Sequence, residues 1–116
     1  MKDTAWTLAE CQRRVDEWIR TVGVRYFSEL TNTAILMEEV GELARIMARR
    51  FGDQSSKAGE EGLDLAEEMA DVLFVLTCLA NQTGVDLQTA FERALDRKTR
   101  RDADRHRLNP KLRDNA

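Results

Sequence analysis

Three observations predict an all-α fold. Proline occurs once, at Pro110, and glycine six times, while Ala, Leu, Glu and Arg dominate, a composition that favours helix nearly throughout. Apolar residues recur at three- and four-residue spacings along four segments, and clusters of turn-forming residues separate those segments. The pattern predicts a four-to-five-helix bundle in a single domain over residues 1–116, with its core at about 7–106 and a tail at 107–116. A chain of 116 residues buries only a modest core, so a homodimer or homotetramer is expected to complete the bundle.

The first helix is expected over about 8–21. Thr7-Leu8-Ala9-Glu10 has the form of a capping box, with Trp6 and Cys11 placed as a hydrophobic staple and Leu8, Cys11, Val15, Trp18 and Ile19 on one face. Gly23 should end it, and Val24 to Phe27 forms an aromatic-bearing connection. A second helix follows over about 29–50 and stops at Gly52. Residues 52–62 carry Asp, Ser, Gly and Glu without apolar periodicity and read as a loop. The third helix, about 63–82, should be the most buried element, since apolar residues surround it on nearly every side. After the break at Asn81-Gln82-Thr83-Gly84, Asp86 is the expected cap of a fourth helix carrying Leu87, Ala90, Phe91, Ala94 and Leu95, ending near 101–104. Beyond His106, Asn109-Pro110 discourages helix.

Composition excludes several classes. The two cysteines, Cys11 and Cys78, fall on apolar helical positions without metal-type spacing, so they read as core thiols of a reduced, cytoplasmic protein. No apolar run is long enough to span a membrane, and no leader-like segment is evident. The formal charge is −3, yet acids concentrate between residues 38 and 71, whereas residues 93–107 hold seven Arg or Lys. That polarity disfavours nucleic acid as a partner, because the acidic middle repels a long polyanion. One histidine, His106, leaves no Glu-x-x-His pair for a di-iron bundle and no Ser-His or Cys-His arrangement for a nucleophile.

Two acidic clusters, Glu38-Glu39-x-x-Glu42 and Glu67-Glu68-x-x-Asp71, interrupt apolar patterns. At about 100° per residue, Glu39 and Glu42 share a stripe with Ile35 and Ile46, and Glu68 and Asp71 lead into Val75 and Cys78. Asp71, inside the apolar run of helix three, is expected to be withdrawn from the surface. Like charges at such spacing repel unless a cation or proton compensates them. Carboxylate oxygens suit Mg²⁺, with Mn²⁺ as a substitute, and Mg²⁺ keeps positions open for substrate phosphates.

The run Glu38-Glu39-Val40-Gly41-Glu42-Leu43, followed on the next helix by Glu68-Met69-Ala70-Asp71, resembles the signature of the MazG-like nucleotide pyrophosphohydrolases, over about Trp18 to His106. The resemblance implies an all-α fold related to dimeric dUTPases and Mg²⁺-dependent cleavage of a nucleoside triphosphate to the monophosphate and pyrophosphate. Matched by position, it implies Glu39, Glu42, Glu68 and Asp71 as metal ligands, with Glu38 or Glu42 orienting the attacking water. Lys98, Asp102 and Arg105 match a Lys-x-x-x-Asn-x-x-Arg pattern of the family, with Asp102 in place of asparagine. Lys98, with Arg101 or Arg105, is therefore a candidate phosphate clamp. Tyr26 and Phe27 are candidates to stack on the base, while Trp18 reads as core. The alternative to an enzyme is a non-catalytic helical module that binds a nucleotide or metal as a regulator, which would release no pyrophosphate.

Overall fold

The computed structural model describes residues 4–59, 62 and 64–113 and contains four α-helices. They are α1 (Leu8–Thr21), α2 (Glu29–Phe51), α3 (Leu65–Thr83) and α4 (Leu87–Asp102), and a 3₁₀ turn follows at Pro110–Leu112. Helix α3 is the hub, with α2 along one flank and α1 along another, while α4 packs on α1.

Local chemistry fixes the helix ends. The Thr7 hydroxyl accepts from the Glu10 amide at 3.0 Å, but Glu10 pairs with Arg13 and Arg14 instead of returning to Thr7, so only half of the expected capping box forms. Ser28, Asp64 and Asp86 cap the other three helices. Asp64 moves the start of α3 to Leu65, and Leu63, where the sequence predicted it, lies outside the described residues. Gly84 closes α3 at φ 73°, in the left-handed region that suits glycine. Between α1 and α2 it is Val24, not Gly23, that takes a positive φ of 75°. Asn109 caps a turn where the sequence predicted an unstructured tail, because proline is well placed at a first helical position.

The core is thin. Ile19, Ile46, Val75, Cys78 and Ala80 are its buried apolar members. Both cysteines are free thiols, and burial pushes that of Cys78 upward. Helix α3 does hold most of the buried positions, yet its Met69, Leu73, Phe74 and Leu76 remain exposed. Among the described residues, no helix is long and apolar enough to cross a membrane.

Candidate metal centre

Helices α2 and α3 pack side by side, and their packing brings the two acidic clusters face to face. Ile46 is buried and Ile35 half-buried, so the stripe they define turns Glu39 toward α3. Asp64 caps α3 through the amides of Ala66 and Glu67, which places Glu68 in the first turn, where the helix dipole favours negative charge. Glu39, Glu42 and Glu68 each offer one carboxylate oxygen, and these oxygens all lie within 4.8 Å of one another.

That convergence is electrostatically unresolved. Oε1 of Glu39 and Oε1 of Glu68 are buried and accept no hydrogen bond from a described residue. Burial raises the Glu39 carboxyl above the usual range, and the charges of Glu42, Asp71 and Glu38 push it the same way. Glu68 is raised by burial first and then by Glu42, Glu39 and Asp71. An uncompensated buried oxygen costs on the order of 1–3 kcal/mol. Three convergent, acceptor-only oxygens, on residues two of which also carry an orphaned oxygen, fit a hard divalent cation, which would satisfy all three at once.

Asp71 does not join the tight trio and is exposed, contrary to the expectation of burial, because no described residue covers that flank of α3. It stands beside the cluster all the same: it lines a cavity with Glu39, and its charge reaches both Glu39 and Glu68. Glu38 is exposed and acts on Glu39 by charge.

Two of the basic residues predicted to meet phosphate gather on one carboxylate at the end of α4. Lys98 is exposed, and Arg101 and Arg105 both donate to Asp102, at 3.0 and 3.1 Å. The guanidinium of Arg101, and then that of Arg105, hold the Asp102 carboxyl down at about 2. His106 stands 3.7 Å from the same carboxylate. Asp102 thus acts as a clamp on the two arginines. The charges that raise the Glu39 and Glu68 carboxyls are those of neighbouring acids.

The cavity beside the acids measures ≈380 Å³ and is lined in part by Trp18, Phe27, Phe74 and Asn32. Phe27 lines it, whereas Tyr26 does not: its hydroxyl donates to Asp16 at 2.7 Å and accepts from Asn81 at 3.0 Å. Trp18, expected in the core, is 47% exposed and meets Phe74 edge-on at 5.7 Å between ring centroids. Its position on the apolar stripe pointed inward correctly, but what lies there is a cavity. Asn32 was not singled out by the sequence; an amide two turns before an acidic pair on the same helix was its one signal.

The described residues form a helical protomer whose central helix pair gathers carboxylates beside an aromatic cavity, an arrangement that could hold a metal ion. The family is more specific: the chain belongs to the MazG nucleotide pyrophosphohydrolase domain family, whose model matches residues 27–106. It is 42% identical over 99 residues to the uncharacterized protein YpjD of Bacillus subtilis (strain 168), covering 85% of this chain and 89% of that one. Identity to the uncharacterized YvdC of the same organism is 30% over 100 residues, covering 81% of this chain and 94% of YvdC. The crystal structure of B. subtilis YpjD matches with a TM-score of 0.70 at 39% identity, over 84% of this chain and 95% of that one. That of the Bacillus-conserved MazG protein, described as a nucleotide pyrophosphohydrolase, matches at 0.67 and 37%, over 82% and 92%.

Proposed function

We propose that the protein is a Mg²⁺-dependent nucleoside triphosphate pyrophosphohydrolase that converts an NTP or dNTP and water to the monophosphate and pyrophosphate. The observation that carries this reading is the convergence of Glu39, Glu42 and Glu68 within 4.8 Å, with buried orphan oxygens on two of them. Glu39, Glu42, Glu68 and Asp71 would hold the cation, Mg²⁺ or in its place Mn²⁺. When bound, such an ion neutralises triphosphate oxygens and stabilises the charge that develops during in-line displacement.

The chain's own residues do the rest. Glu38 or Glu42, as a carboxylate, orients the attacking water and accepts its proton. The new bond forms at the α-phosphorus, and the bridging bond to the β-phosphate breaks. Lys98, Arg101 and Arg105 meet the phosphates, the two arginines held in fixed orientation by Asp102. Phe27 offers a face to the base. Tyr26, bonded to Asp16 of α1 and Asn81 of α3, anchors the connection that carries Phe27.

The working form is a homodimer or homotetramer. The protomer exposes 9077 Å², against about 6,500 Å² for a folded monomer of this mass. Its radius of gyration is 18.3 Å, against about 13 Å for a compact chain of this length. Uncovered Leu73, Leu76 and Phe91 line an apolar groove between α3 and α4, which another copy would bury.

The test is product analysis with the standard NTPs and dNTPs in Mg²⁺, Mn²⁺ or EDTA, resolving pyrophosphate from orthophosphate. Metal-dependent pyrophosphate release is expected. Tight nucleotide binding without turnover would favour the regulatory module instead.

A further inference from the structure

The cavity beside the acids contains a buried amide whose orientation is set by a relay through Gln82. Asn32, only 5% exposed, is the one carboxamide in the lining. Its Nδ2 donates to Oε1 of Gln82 at 2.9 Å, and Nε2 of Gln82 donates to the Phe27 carbonyl at 2.6 Å. A backbone carbonyl can only accept. The Gln82 amino group must therefore face Phe27, its oxygen must face Asn32, and the Asn32 amino group must face Gln82. The relay removes the usual two-fold ambiguity of an amide and leaves Oδ1 of Asn32 turned away from Gln82. Among the described residues, no donor reaches that oxygen.

Position makes this oxygen selective. Asn32 precedes Glu39 by seven residues on α2, about 10.5 Å along the helix axis. With phosphates at the acids, the sugar and ring span that interval, and the far edge of the base arrives at Asn32. Trp18, Phe27 and Phe74 supply apolar walls for the ring between the two ends. The substituent at that far edge is an amino group in cytosine and adenine, and a carbonyl in uracil, thymine and guanine. An amino group donates to Oδ1, whereas a carbonyl sets two acceptors against each other in a confined space, and mismatches of this kind discriminate more strongly than a missing methylene does.

We infer that Gln82 is a positioning residue that locks the Asn32 amide, and that the fixed oxygen makes the site select nucleotides of amino-bearing bases over their oxo counterparts. The inference rests on the pyrophosphohydrolase reading for where the phosphates lie, and it can fail separately from that reading.

The experiment is calorimetric binding of CMP against UMP and AMP against IMP in Mg²⁺, run beside pyrophosphate release from the matching triphosphates. The wild-type protein is expected to bind the amino member of each pair at least about tenfold more tightly. Gln82→Met, which keeps length and removes both relay bonds, should bring the ratio close to one while leaving the helical circular dichroism unchanged. Asn32→Leu should do the same; should it fail to fold, Gln82→Met decides alone. A wild type with no amino preference, or with no binding to any of the four, overturns the inference, as does a preference that survives Gln82→Met. Amino-selective binding without turnover would overturn the reaction and support the base contact; turnover without selectivity would do the reverse.

Discussion

The two ends of the α2–α3 seam handle buried polarity in opposite ways. At the end near Gln82 every carboxamide finds a partner within the chain. Gln12 donates to Asn81 and to the Val85 carbonyl and accepts from the Leu87 amide. Asn81 donates in turn to the Gln12 carbonyl and to Tyr26. At the other end Glu39, Glu42 and Glu68 confront one another with oxygens unmatched. Amides carry donors and acceptors and can close a network among themselves; carboxylates only accept, so their network closes only with something from outside. The first end holds the fold together and leaves the Asn32 oxygen open, whereas at the second an ion has the most free energy to contribute.

The sharpest way to break this contrast is Glu39→Gln. At the acidic end it removes one proposed ligand and also relieves repulsion, so pyrophosphate release should fall at least about a hundredfold while the metal-free protein melts no lower than wild type. Full activity in the variant would refute the ligand role. Mg²⁺ should raise the melting temperature of wild type and not of Glu39→Gln, since an ion stabilises only the state that binds it.

The opposite substitution belongs at the amide end. Gln12→Ala strands the Leu87 amide and leaves Asn81 and the Val85 carbonyl each short of a donor, and should cost about 2 kcal/mol in urea unfolding with the ratio of activity to folded protein unchanged. A variant as stable as wild type would mean that water serves these groups equally well.

Much of this division was legible in the sequence, for definite reasons. Helices α1 and α4 begin where Thr7 and Asp86 permit, because a cap needs only its immediate neighbours. Glu39, Glu42 and Glu68 were legible because helical periodicity fixes which residues share a face. Asn32, Gln82 and the exposure of Trp18 were not, since Asn32 and Gln82 stand fifty residues apart and meet only when α2 and α3 pack. The exposure of Asp71 and the capture of Arg101 and Arg105 by Asp102 escaped for a similar reason. Charge spacing names the neighbours on a helix, but not which flank of it stays uncovered or which ion wins a guanidinium.

A pH titration sharpens the contrast further. Tyr26 is the only tyrosine, and burial, then its hydrogen bond to Asp16, pushes its hydroxyl up to about 12. Its folded-state value lies above the ordinary value of about 10. The stability it contributes is therefore complete below pH ~10 and lost as pH rises through the folded value. Phenolate absorbance should appear late in the native protein, and Tyr26→Phe should flatten the alkaline fall in stability. Ionisation at the ordinary pH would place Tyr26 outside the network.

The smallest expected effect tests whether the acidic end belongs to one chain or to an assembly. Gly41 lies inside α2 between Glu38 and Glu42, and a Cβ built there meets nothing within 4 Å. Within a lone protomer Gly41→Ala can only help, by about 0.5–1 kcal/mol, because glycine is a poor helix former. In an assembly whose second copy lays backbone against this face, the same methyl would clash, and stability would fall with dilution. A rise of a few degrees in melting temperature, independent of protein concentration, assigns this face to solvent and directs assembly to the apolar groove between α3 and α4. A concentration-dependent loss would instead bring the second copy against the acidic end itself.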